Sequence, residues 1–92
     1  MIAITDIKTL AQLDQYFDHI VDLDNDDALF ASSYLRGFIE VEAVEFGDEQ
    51  QPLTQRLADK VSAQLERAKD ELSSADQRIV EQFWQTLQPA FN

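Results

Sequence analysis

The chain has 92 residues, 45% hydrophobic and 27% charged, with two glycines, two prolines and no cysteine. That balance fits a folded, helix-rich chain better than a disordered one, the absence of cysteine excludes a disulfide scaffold and a thiolate metal site, and no apolar run nears the roughly 20 residues that span a bilayer. The net charge is −11: residues 1–50 hold twelve acids against two bases, and residues 51–92 six acids against five. Such a field opposes nucleic-acid phosphate and anionic lipid, and leaves a basic protein as the partner class it permits.

A chain this long buries roughly 60–65% of its unfolded surface around one core, so a single domain over residues 1–92 is expected. Met1-Ile2-Ala3-Ile4-Thr5-Asp6 lacks the basic start and apolar stretch of a secretory leader. With no cysteine either, the default location is the cytoplasm.

Ile7, Leu10, Leu13, Phe17 and Ile20 keep to one face at 3.6-residue spacing, opposite Lys8, Gln12, Gln15 and His19. The spacing predicts a first helix over about 5–22, with Thr5 as N-cap and Asp6 at the positive end of the dipole. The polar run Asp22-Leu23-Asp24-Asn25 ends it.

A second helix is predicted from Asn25 or Asp26 to Phe46, followed by Gly47 in the position after a helix end. Phe30, Tyr34, Leu35, Phe38, Ile39, Val41, Val44 and Phe46 cover more than half its circumference, which predicts a central helix with several neighbours. Ser33 and Gly37 lie four apart on one side, a spacing that admits another backbone at close range and would explain a glycine inside a helix.

The segment Gly47-Asp48-Glu49-Gln50-Gln51 is expected to be flexible. Pro52 suits the first position of a third helix, whose stripe is Leu53, Leu57, Val61, Leu65, Ala68 and Leu72. Ser74 with Gln77 resembles a capping box for a fourth helix, with Ile79, Val80, Phe83, Trp84 and Leu87 inward and Pro89 at its end. Four helices on short loops predict an all-α fold: an up-and-down antiparallel four-helix bundle, or in the alternative an orthogonal four-helix arrangement.

Two patches carry more than periodicity. The run Leu29-Phe30-Ala31-Ser32-Ser33-Tyr34-Leu35-Arg36-Gly37 resembles the YfcL-like family of small bacterial proteins. Ser74-Ala75-Asp76-Gln77-Arg78-Ile79-Val80, with Trp84 and Leu87, is similar to that family's C-terminal helix. The resemblance implies a small soluble cytoplasmic protein and brings no catalytic residues with it.

Asp22, Asp24 and Asp26 hold the first, third and fifth positions of an EF-hand loop, which makes them a weak metal candidate. The sixth position is Asp27 instead of glycine and the twelfth is Ser33 instead of glutamate, while carboxylates ahead of a helix are explained by capping. His19 is the lone imidazole, and Tyr16 stands three residues before it where a di-iron bundle needs glutamate. Ser32 and Ser33 have no evident base. With no phosphate loop or nucleophile elbow either, neither an enzyme nor a cofactor is predicted.

Arg36 is the one base between Lys8 and Arg56, beside eleven acids from Asp14 to Glu49. Its ordinary reading is a pair with Glu40, four residues on, or with the acids closing the first helix; its functional reading is an anchor for an anionic group. Glu40, Glu42, Glu45, Asp48 and Glu49 form an acidic run over the end of the second helix. The function these features predict is a protein interaction or adaptor module, its partner-binding residues Arg36, Glu40, Glu45, Asp48 and Glu49 meeting a basic protein. The alternative is a small-ligand pocket between the first, second and fourth helices, lined by Tyr34, Phe38 and Trp84 with Arg36 at its mouth.

Overall fold

The computed structural model describes residues 4–22 and 24–91. Residues 1–3, the start of the stretch tested for a leader, and Leu23, within the Asp22 to Asp26 loop, lie outside them. Four α-helices follow in order: α1 over Leu10–Val21, α2 over Asp26–Ala43, α3 over Gln55–Ala68 and α4 over Ser74–Leu87. Short 3-10 turns cover Ile4–Asp6, Val44–Phe46, Lys69–Glu71 and Gln88–Ala90. No strand occurs among the described residues, where the sole bridge joins Thr9 to Pro52.

The first helix starts later than its apolar spacing predicts. Ile4–Asp6 forms a 3-10 turn that places Ile7 in the core, and the cap of α1 is Thr9, not Thr5. The Thr9 hydroxyl accepts from the Gln12 N–H at 3.2 Å, and the Gln12 side chain accepts from the N–H groups of Thr9 at 3.2 Å and Lys8 at 2.7 Å. This reciprocal box satisfies three backbone donors that would otherwise be orphaned. Two more, Leu10 and Ala11, donate to the carbonyls of Gln51 (3.0 Å) and Glu49 (2.7 Å).

The segment expected to be flexible is therefore fastened. Its carbonyls cap α1, Leu53 donates to Lys8 at 3.0 Å, and the buried Gln51 side chain donates to the carbonyls of Ala43 (3.0 Å) and Asp48 (2.8 Å). One strap thus closes the start of α1 and the end of α2. Gly47 makes the turn possible, at φ 135° and ψ −156°. That lies outside the left-handed helical basin, in a region essentially reserved for glycine.

The same strap displaces Pro52 from its predicted place. It sits in the bridge opposite Thr9, while α3 is capped by Thr54, whose hydroxyl accepts from Leu57 N–H at 3.2 Å. The cap of α4 is Ser73, accepting from Asp76 N–H at 3.2 Å, not Ser74. Gln77 instead donates to the carbonyls of Lys69 (2.6 Å) and Leu72 (3.1 Å), sealing the turn after α3.

Helix α2 is central: α1, α3 and α4 each pack against it. Its inner face, Ala31, Leu35, Ile39 and Ala43, meets Leu13 and Phe17 of α1, Leu57 and Val61 of α3, and Val80, Trp84 and Leu87 of α4 in one core. The terminal 3-10 turns pack on each other, and Phe91 sets its ring edge against Trp84 with centroids 5.3 Å apart. The bundle measures 34 × 29 × 18 Å. Its flatness leaves part of even the central helix uncovered.

Candidate functional site

The uncovered part is the outer face of the second half of α2. Val41 and Val44 are 71% and 77% exposed, although their apolar character counted toward a buried circumference. Gly37 and Ser33 are exposed too, and a Cβ built on Gly37 would meet nothing within 4 Å. Among the described residues no backbone approaches there, so the close-packing explanation of this glycine fails for them.

Beside Gly37, the residues Tyr34, Phe38, Val41, Glu42 and Gln64 complete a trough of about 410 Å³ between α2 and α3. Helical spacing builds its α2 wall, because positions 34, 37, 38 and 41 fall on one side of a helix. The rings of Phe30, Tyr34 and Phe38 form a ladder along it, with centroid separations of 6.1 and 5.0 Å. Phe38 is half-buried at this margin and is not the core anchor its size suggests.

Ion pairs tie α2 to each of its neighbours α1 and α3. Toward α1, Arg36 donates to Asp18 at 3.0 Å and Glu40 at 3.3 Å and lies 3.6 Å from Asp14, with its guanidinium 5.8 Å from the centre of the Phe17 ring. One cation thus faces three carboxylates, and the cluster stays net negative. Burial pushes the Asp14 carboxyl above its ordinary pKa; Arg36 opposes the shift, and Glu40, Asp18 and Glu49 add to it. Toward α3, Glu45 accepts from Lys60 at 2.8 Å, and the cations of Lys60 and Arg56 lie 5.6 and 5.8 Å from the centre of the Phe46 ring.

The acidic run is consequently not one surface. Glu40 belongs to the α1 flank and Glu45 to the α3 flank, whereas Asp48 turns its carboxylate onto Gln50 N–H at 2.9 Å, and the Glu49 carbonyl caps α1. Glu42, omitted from the predicted partner-binding set, lines the trough half-buried with no ion pair among the described residues. Its neighbours Val41 and Gly37 were missed for a different reason. Their angle around α2 is readable from the sequence, but which side of the helix its neighbours leave uncovered is not.

The pocket predicted for a ligand differs in place and lining. Tyr34 and Trp84 do share a cavity, of about 180 Å³, but it lies between α2, α3 and α4 and not against α1. Phe38 and Arg36 are absent from its wall, which includes Ser62, Lys69, Gln77 and Glu81. The Trp84 indole N–H donates to the Ser62 hydroxyl at 2.9 Å, while the buried Tyr34 hydroxyl has no hydrogen-bond partner among the described residues. Asp22, Asp24 and Asp26 are exposed, and no group of three His, Asp or Glu side chains among the described residues could hold a metal ion. Nor is any described helix long and apolar enough to cross a membrane.

The chain matches the YfcL protein family over residues 8–89. Uncharacterized protein YfcL of Escherichia coli (strain K12) is 37% identical over 89 residues, covering 95% of this chain and 92% of that protein. No solved structure matches this chain. The family match takes in all four helices, the strap between α2 and α3 and both flanks of α2, and the chain belongs to the YfcL family.

Proposed function

We propose that the protein is an interaction module that offers the acidic, partly apolar outer face of α2 to a basic protein. The observation that carries this reading is the exposure of Val41 and Val44 among Glu40, Glu42 and Glu45. Scattered surface valines are ordinary, but Val41 lines a trough together with Tyr34 and Phe38, and contiguous apolar surface rimmed by charge marks contact sites. The excess of acid fits a basic partner and disfavours nucleic acid and anionic membrane. A cytoplasmic location fits a chain without cysteine.

Catalysis is no part of this reading. The Ser32 hydroxyl is spent on the Leu29 carbonyl at 3.1 Å, and His19 is exposed. The test is affinity capture with the wild type and with the triple variant Glu40→Lys, Glu42→Lys, Glu45→Lys, its fold checked by circular dichroism. A basic protein held by the wild type at low salt, released as salt rises and lost by the variant, is the expected result. Equal capture by both proteins, or none by either, would remove the reading.

A second reading is a small-ligand site in the cavity of Tyr34 and Trp84. The unpartnered Tyr34 hydroxyl favours it, because a buried polar group without a partner costs about 1–3 kcal/mol that a ligand would recover. Against it, about 180 Å³ is smaller than the roughly 300–1,000 Å³ of ordinary ligand pockets. Quenching of Trp84 fluorescence across a panel of small aromatic and amine compounds tests it, with no saturable response counting against it.

A further inference from the structure

Three independent features converge on the trough between α2 and α3. The first is Gly37, which weakens a helix relative to alanine yet accommodates no group of its own chain, since a Cβ there would meet nothing within 4 Å. The second is the apolar lining of Tyr34, Phe38 and Val41, open to solvent in a space of about 410 Å³. The third is Glu42, a half-buried carboxylate in the same wall without an ion pair among the described residues. Groups of this kind call for an apolar side chain to fill the space, a backbone or side chain passing over Gly37, and a cation for Glu42.

A second copy of this chain meeting the first through the same face would bring apolar surface together with a matching set of acids. Its own outer face of α2 carries Glu40, Glu42 and Glu45, and each chain carries a net charge of −11, so copies meeting face to face would set like charges together. A basic amphipathic segment satisfies every feature. Its apolar residues would cover Val41 and enter the trough, and a lysine or arginine side chain would meet Glu42, since Glu40 and Glu45 already hold Arg36 and Lys60.

We propose that the trough of Tyr34, Gly37, Phe38, Val41, Glu42 and Gln64 is the seat of a basic amphipathic peptide segment, helical on binding, whose apolar side chains lie over Gly37. This rests on the interaction-module reading and sharpens it from a charged face to a particular groove of the helix-in-groove kind.

The full chain is titrated, with amide shifts followed by NMR, against a short peptide bearing leucine on one helical face and lysine on the other. An equally charged peptide with serine for leucine serves as the control. The leucine peptide is expected to shift residues 37–45 and Gln64 saturably, and to bind about tenfold or more tightly than the control. Gly37→Leu puts a side chain into the trough, its Cβ meeting nothing within 4 Å among the described residues, and improves helix propensity. It should raise the thermal midpoint while weakening the leucine peptide about tenfold.

Equal binding of the two peptides, with no effect of Gly37→Leu, would overturn the trough and leave the acidic-face reading standing. Failure of both peptides to bind would take both readings down. Concentration-dependent dimerisation in sedimentation, abolished by Val41→Lys, would make a second copy the occupant and overturn the proposal.

Discussion

The inner and outer faces of α2 are built from similar residues and do opposite things. Leu35 and Ile39 are 0% exposed at the centre of the core, whereas Val41, two residues beyond Ile39, is 71% exposed. Hydrophobicity therefore does not decide burial here; angular position around one helix does. Three helices surround α2, and the sector between the contacts to α1 and α3 is closed by neither. The inner face holds the fold together and the outer face has little to lose by being changed, which is the condition under which a surface is free to serve binding.

The largest expected effects lie on the inner side. Leu35→Ala or Trp84→Ala should cost about 3–5 kcal/mol through lost burial and the cavity left behind, Trp84→Ala also leaving the Ser62 hydroxyl without its donor. Against a total stability of about 5–15 kcal/mol, either change could unfold the chain. Val41→Ala and Val44→Ala should stay within about 0.5 kcal/mol of the wild type, as surface substitutions do. Urea unfolding followed by circular dichroism measures all four. A cost for Val41→Ala approaching that of Leu35→Ala would erase the contrast between the faces.

Next in size is the strap that joins the two regions. Gly47→Ala forces a Cβ into a backbone region nearly closed to other residues, and should cost about 1–3 kcal/mol. Because Gln51 and Glu49 close the helix ends from the same loop, the loss should also speed amide exchange at Leu10 and Ala11, readable by NMR. Unchanged stability and unchanged exchange would show that the strap forms without the glycine.

The pattern of helices was legible because the apolar stripes have a helical period, and the centrality of α2 followed from its wide apolar circumference. Helix starts were less legible. Thr9 with Gln12 and Ser73 with Asp76 carried capping signals in the sequence, but Thr5, Pro52 and Ser74 offered equally good local chemistry. At Thr9 and Pro52 the deciding factor was the pairing of Lys8 and Thr9 with Pro52 and Leu53, a contact between segments more than forty positions apart. The pairing of Arg36 with Glu40 and with acids of α1 was readable from spacing and isolation. The trough was not, because its emptiness at Gly37 depends on where α3 runs.

Gly37 itself gives a smaller and opposite effect. The wild-type residue weakens α2 and makes no contact that alanine would disturb, so Gly37→Ala should stabilise the chain by about 1 kcal/mol, measured as a shift of the urea midpoint at constant slope. A destabilised Gly37→Ala variant would mean that something in the chain does approach this position, and the outer face would no longer stand apart from the core.

The smallest expected effect is the pH response of the α1 flank, and its sign runs against the usual behaviour of a paired carboxylate. Burial, with Arg36 opposing and Glu40, Asp18 and Glu49 adding, raises the Asp14 carboxyl in the folded chain above its unfolded value. A raised folded pKa means that the native state holds this proton more tightly. The contribution of Asp14 is therefore fully present below its unfolded pKa and is lost as pH rises through the folded one. Asp14→Asn keeps the shape and removes the titration. Stability measured by urea unfolding across the carboxylate range, about pH 3 to 7, should show the wild type losing ground to Asp14→Asn as pH rises. The opposite slope would mean that Arg36 outweighs burial at Asp14, so that all three carboxylates around Arg36 are held ionised and the flank is more negative than burial alone would allow.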